Sequence, residues 1–309
     1  MKILYFANLK NETPTIDQDI LYSLKKQHDV VSIDLREFVE DKDVGKIIMK
    51  ANECDVFLFH ALIPETNDLY IQLMLERIVE MLEGMTCKKV LWFLDKVAGS
   101  KMKIITNLLP SVDYLFVADG TWKKRFDHEK LFVLHPAASE KLKRGIVKED
   151  LKCDIAMMGS LYGERFKQFE FLKNKFGDKF NYYDDKFGKD FSNACRSAKM
   201  VIVPQYPFDD FYWSERVYNI MASGGLCIHP RTYGLQEEGL VDGEHFVDYY
   251  TEQDLFVTLT MLLDKKSDKV RKAISEMGRL WATQHTYSER LKEMFNIINK
   301  TKDETKITG

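Results

Sequence analysis

Four runs in the first half of the chain leave it little freedom: KILYFA (2–7), DVFLFHA (55–61), KVLWFL (89–94) and YLFVA (114–118). Each is apolar at nearly every position rather than at every second one. A strand of that kind needs cover on both faces, which is the situation of a parallel sheet layered between helices. The stretches at 16–27, 43–52 and 68–83 carry apolar residues at helical spacing, and 30–34 and 131–134 add two more strands. From 135 to 152 (HPAASEKLKRGIVKEDLK) large apolar residues are few and charges many. The alternation then restarts, with strands predicted at 154–158, 180–183, 200–204, 226–229 and 246–249. Helices are predicted at 164–175, 189–197, 214–223, 252–264, 267–282 and 286–299. A chain of 309 residues has room for two such cores. The expectation is α/β: two tandem Rossmann-like, doubly wound domains, 1–145 and 146–309, with ligands beyond the carboxyl ends of the strands, facing an interdomain cleft.

Composition excludes several classes. A formal charge of −3 supplies no global field for nucleic acid or an anionic membrane. No apolar run approaches the roughly 20 residues of a membrane span, and MKILYFANLK reads as a first strand rather than a leader. Cysteines 54, 87, 153, 195 and 227 contain no Cys-x-x-Cys pair and fit buried thiols of a reducing, cytoplasmic setting. The seven histidines lack metal-ligand spacing, so no metal site is expected. FANLKNETPT after the first strand lacks the glycines of a dinucleotide fingerprint, which argues against an NAD enzyme.

Two segments of the second half are suited to an anion. CDIAMMGSLYGERFKQFEFL (153–172) runs strand, glycine, turn, glycine, helix. Gly159 and Gly163 allow close backbone approach around Ser160, and Arg165 in the first helical turn suits phosphate oxygens. A plain tight turn explains the same residues equally well. In FYWSERVYNIMASGGLCIHP (211–230), Ser214 is expected as N-cap and Gly224 or Gly225 as C-cap. Arg216 then stands at the positive helix end, with Asn219 one turn on; an ordinary capped helix is the alternative. The aromatics Tyr206, Phe208, Phe211, Tyr212 and Trp213 suit base or sugar stacking, or core packing. The basic patches at 122–125 and 141–144 read as solvated faces.

The run S-x-R-V-Y-N-I-M-A-S-G-G, then Y-G-L-x-E-x-x-x-x-G-E-H-F-V-x-Y, then H-T-Y-S-E-R-L resembles the C-terminal half of the CgeB-like glycosyltransferases, within the group-1-like transferases of GT-B fold. The resemblance covers most of 153–300 and extends more loosely to the first half. It implies sugar transfer from a nucleotide-diphosphate sugar, UDP-sugar favoured, to a polysaccharide, protein, metabolite or modified DNA. Gly159, Ser160, Arg165, Asp210, Ser214, Arg216, Asn219, Tyr233, Gly234 and Leu235 would line the donor, with Asp209 near its sugar. Asn219 stands where relatives carry a ribose-binding glutamate. Asp55 and His60 match an Asp-x-x-x-x-His strand, and Asp95, beside Lys96 and Gly99, borders the reacting sugar in relatives. His285, Thr286 and Tyr287 would fix a last helix that packs back toward the junction. A nucleotide-sugar epimerase of the same fold and a non-catalytic nucleotide-sugar-binding protein remain open alternatives.

Overall fold

The computed structural model describes residues 1–40, 44–60, 68–126, 128–204 and 210–307. In chain order the elements begin with β1 (Lys2–Ala7), α1 (Ile16–Gln27), β2 (Asp29–Asp34), α2 (Leu35–Glu40), α3 (Val44–Asn52), β3 (Val56–Phe59) and α4 (Asp68–Glu83). Next come β4 (Lys88–Phe93), α5 (Ser100–Leu108), β5 (Tyr114–Val117), α6 (Thr121–Arg125) and β6 (Leu131–Val133). The pattern restarts with β7 (Cys153–Met158), α7 (Glu164–Phe176), β8 (Phe180–Tyr183), α8 (Gly188–Ser197), β9 (Ala198–Ile202) and α9 (Arg216–Ala222). It closes with β10 (Cys227–Pro230), α10 (Gly234–Glu237), β11 (Val247–Tyr249), α11 (Glu252–Leu263), α12 (Asp268–Gln284) and α13 (Tyr287–Ile307).

These elements form two compact units, Met1–Pro136 with Tyr287–Gly309, and Ala137–Thr286. The first is built on a parallel sheet of order β2-β1-β3-β4-β5-β6. Leu4, Phe6, Phe57, Phe59, Leu91, Phe93, Leu115 and Val117 fall on one face of it, in a single buried cluster with residues of α3, α4 and α5. Their intervening neighbours Ile3, Tyr5, Val56, Leu58, Val90 and Trp92 are equally buried, so the continuous apolar runs do mark strands covered twice. α13 belongs to this unit: its Phe295 ring meets His28 edge-on at 4.8 Å, and the Ile298 carbonyl accepts from Lys88 Nζ at 3.1 Å.

The second unit carries a parallel sheet of order β11-β10-β9-β7-β8, with a separate apolar cluster on each face. The charged stretch expected to be a linker is stitched to this unit by its own backbone. Ala138 N–H donates to His285 O at 2.9 Å, Gly145 N–H to Ser223 O at 2.9 Å, and Ile146 N–H to Asn193 Oδ1 at 2.9 Å. The compact units thus divide after Pro136 rather than after residue 145, and again between α12 and α13.

Candidate functional site

The second unit brings the two anion-ready segments together. Beyond β7, Gly159 takes φ +117°, and a Cβ there would lie 2.9 Å from Arg216 Nε and 3.1 Å from its Cζ. The guanidinium of Arg216 therefore rests against a stretch of backbone that only glycine leaves clear. Both polar backbone groups of Gly159 are spent: its N–H donates to Tyr183 O at 3.0 Å and its carbonyl accepts from Tyr182 Oη at 2.8 Å. The backbone N–H groups of 160–163, by contrast, have no hydrogen-bond partner among the described residues. Ser160 is exposed there, and Gly163, at φ +54°, stands before α7 with no side-chain cap.

Arg165 is only 7% exposed, its guanidinium 4.1 Å from the centre of the Tyr162 ring and its Nε without a partner among the described residues. Burial, and then the neighbouring charge of Arg216, lower its pKa. Among the described residues neither arginine has a carboxylate within 4 Å. Two neighbouring guanidiniums, one of them buried, are held in a low-dielectric spot where an unneutralised charge costs several kcal/mol.

Ser214 is not the N-cap. α9 starts at Arg216 with Glu215 in the cap position, its backbone already helical and its side chain unbonded, while Ser214 contributes a carbonyl that accepts from Val217 N–H. Gly224 does end the helix, at φ +82°, with N–H groups of Gly224 and Gly225 closing onto Met221 and Ile220. Asn219 is partly committed elsewhere, since its Oδ1 accepts from Ser139 N–H at 2.9 Å. Gly234 N–H donates to Asp210 O at 2.7 Å, and a Cβ on Gly234 would meet Trp213 at 2.8 Å, so the Y-G-L turn buttresses the loop before α9. Leu235 and Trp213 are core residues, whereas Tyr233 and the Asp210 side chain are exposed. Phe211 and Tyr212 are half-buried; Tyr206, Phe208 and Asp209 lie outside the described residues.

In the first unit, His60 and Asp95 both follow the carboxyl ends of strands. His60 Nδ1–H donates to Asp17 Oδ1 at 2.8 Å with both groups buried, and Nε2 has no partner among the described residues. Burial alone lowers the His60 pKa, yet the carboxylate of Asp17 carries it above the ordinary value. Asp95 is half-exposed and pairs with Lys101 Nζ at 3.2 Å. Asp55 sits at the other end of β3, accepting from Lys2 N–H at 2.8 Å, so it is a brace and not a companion of His60. Sequence reasoning missed Asp17, Asp34 and Asp119. Asp34, buried, accepts from Leu9 and Lys10 N–H at 2.7 and 2.6 Å and braces the β1 loop, while Asp119 accepts from Val97 N–H at 3.1 Å and braces the loop of Asp95. An acid directly at the end of β2 or two residues past β5 was the available signal. Trp122, at the head of one basic patch, is buried. His285 stacks on Trp281 with ring centres 3.6 Å apart and receives Ala138, which fixes the end of α12. Among the described residues no three His, Cys, Asp or Glu side chains are grouped to hold a metal, and no helix is long and apolar enough to cross a membrane.

The architecture is that of GT-B proteins. An alpha-glucosyltransferase in complex with UDP-glucose and DNA containing an abasic site superposes with a TM-score of 0.70 at 11% identity, covering 97% of this chain and 99% of that one. Alr3699/HepE of Anabaena, in complex with UDP and glucose, gives 0.62 at 11% identity over 97% and 100%. The sucrose-phosphate synthase of Thermosynechococcus elongatus gives 0.68 at 9% identity over 97% and 100%. No curated protein matches the chain in sequence. A sequence profile described as glycosyl transferase-like, however, matches residues 137–296, more than half of the chain and the whole of the unit that holds Gly159, Arg165 and Arg216. The chain belongs to this glycosyl transferase-like family.

Proposed function

We propose that this glycosyltransferase takes its sugar from a UDP-sugar, with the diphosphate held in the second unit by Arg165, Arg216 and the backbone N–H groups of 160–163. The observation that carries the reading is the pair of guanidiniums without carboxylates among the described residues, one of them set against Gly159. Two positive groups so placed are suited to the charge that grows on a departing diphosphate, the largest electrostatic demand of the reaction. Complexes of the alpha-glucosyltransferase and HepE with UDP support uracil as the base. The runs S-x-R-V-Y-N-I-M-A-S-G-G and Y-G-L-x-E support kinship with CgeB-like members, and five cysteines without a Cys-x-x-Cys pair support a reducing interior as the setting.

Calorimetry with UDP and with uridine tests the donor site. Arg216→Ala should weaken UDP by about 1.5–3 kcal/mol, the range for a hydrogen bond to a charged group. Arg216→Lys should recover part of that, because a point charge lacks the planar fork. Uridine, with no phosphate, should bind all forms alike. Equal UDP affinity in wild type and Arg216→Ala would remove Arg216 from the site.

For the first unit the reading assigns Asp95 and His60 to the reacting sugar and the receiving hydroxyl, as hydrogen-bond acceptor and proton acceptor. His60 Nε2 is available because Asp17 holds the proton on Nδ1. With UDP-glucose as donor, Asp95→Asn should slow UDP release roughly ten- to a hundredfold, the loss expected when a hydrogen bond to a charged acceptor is weakened. Wild-type release by that variant would end its catalytic assignment.

A further inference from the structure

We propose that the second unit has another anion site, for a small phosphate-bearing molecule, at the opposite end of its sheet from Gly159. A cleft of about 470 Å³ opens where β9 begins, with Arg144, Arg196, Lys199, Gly224, Lys272 and Glu276 in its wall. Because β7 and β9 are parallel, Gly159 lies past the carboxyl end of the sheet and this cleft lies before its amino end. The separation is roughly 15 Å, the length of β9 at about 3.3 Å per residue.

The cleft has more cations than acids to match them. Lys199 pairs with Asp154 at 2.7 Å, and Arg271 with Asp268. Glu276 is shared between Arg144 at 3.1 Å and Arg279 at 2.6 Å. Arg196 and Lys272 have no carboxylate within 4 Å among the described residues. The stems of Arg196 and Arg144 converge over Gly224, where a Cβ would lie 3.2 Å from one and 3.4 Å from the other. Burial, and then the Arg144 charge beside it, lower the pKa of Arg196. Two arginines packed side by side, of which only Arg144 meets a carboxylate and that one shared with Arg279, are poised for an oxyanion, which their guanidiniums can grip through parallel N–H donors. The half-buried Ser275 in the same wall adds a hydroxyl with no partner among the described residues.

The shape selects the ligand class. The volume falls within the ~300–1,000 Å³ of small-molecule sites. Asp268 and Glu276 interrupt the cationic wall, which would repel a continuous nucleic-acid backbone. Arg144, expected as part of a solvated basic face, is indeed exposed and also forms part of the wall of this cleft.

Inorganic pyrophosphate titrated into the full chain by calorimetry is the test. Two sites are expected, one blocked by saturating UDP and lost in Arg216→Ala. The other should survive UDP and weaken at least tenfold in Arg196→Ala. The exposed Lys272→Ala, a change with little bearing on folding, should weaken that same site several-fold. A single site that vanishes with Arg216→Ala and ignores Arg196→Ala and Lys272→Ala would overturn this cleft and leave the donor site standing. A single site sensitive only to Arg196 would do the reverse. Displacement of pyrophosphate from the cleft by a single-stranded oligonucleotide at lower concentration than by a sugar phosphate would overturn the small-molecule assignment.

Discussion

Gly159 shows how one missing side chain organises a site. Its φ of +117° suits glycine, and the space a Cβ would fill is held by the Arg216 guanidinium. Gly159→Ala should therefore act twice. The backbone strain should lower stability by about 1–3 kcal/mol, read from denaturant midpoints. Displacement of Arg216 should weaken UDP at least tenfold, read by calorimetry. Unchanged UDP affinity in a folded Gly159→Ala protein would mean that Arg216 reaches the diphosphate from elsewhere. The glycine was legible in the sequence; its partner was not, because 57 positions separate Gly159 from Arg216 in the numbering and no periodicity reports such a contact. The same blindness hid the bond that the oxygen of Asn219, a residue expected at the donor, accepts from Ser139, 80 residues away.

At the scale of elements, α9 ties two segments that local sequence treats as unrelated. Through Asn219 it receives the backbone of Ser139, and through Ser223 O that of Gly145. Asn219→Ala strands the Ser139 N–H, and an unsatisfied group of that kind costs roughly 1–3 kcal/mol. Thermal unfolding should register the loss, while Asn219→Asp, which keeps the acceptor, should restore most of it. No change in melting on Asn219→Ala would show that water replaces the bond without penalty. Strands were the legible elements, since apolar runs such as those of β3 and β4 admit little else. α5 escaped because SKMKIITNL mixes Lys, Thr and Asn with the few apolar residues, Ile104, Ile105 and Leu108, that face the core. The start of α9 was misplaced because a serine that favours capping is followed by a Glu215 already in helical conformation.

For the whole molecule, acid should separate the two units. His229, fully buried in β10 and donating to Pro230 O at 2.6 Å, has its pKa lowered by burial to about 4. The unfolded chain takes up that proton near pH 6.5 and the folded chain does not, so the second unit loses stability as pH falls from about 6.5 to 4. The loss is roughly 3 kcal/mol at 1.36 kcal/mol per unit. In the first unit His60 shifts the other way: its raised pKa gives stability that is full below about 6.5 and lost as pH rises. Asp34, despite a burial that opposes it, is held at about 2 by hydrogen bonds from Arg36, Lys10 and Leu9. Its contribution, roughly 2 kcal/mol, is present above about pH 4 and lost as pH falls toward 2. Calorimetric scans at pH 7, 5 and 3 should show the second unit's transition dropping first. A first unit that melts earlier at pH 5 than at pH 7 while the second holds would reverse the assignment.

The placement of α13 has a topological consequence. Since Met1–Pro136 and Tyr287–Gly309 build one unit around an uninterrupted Ala137–Thr286, the second unit is an insertion, spliced into the first between its last strand and its last helix. Cutting the gene in the middle does not yield two halves. A fragment ending at Pro136 would leave His28 without the Phe295 ring and Lys88 without the Ile298 carbonyl. The inserted unit, by contrast, is one unbroken stretch of chain, its two ends pinned together by the Ala138–Thr286 bridge. The unit that carries the candidate donor site is thus the one that a single excision can lift out, and the unit that carries His60 and Asp95 can be made alone only by joining residue 136 directly to 287.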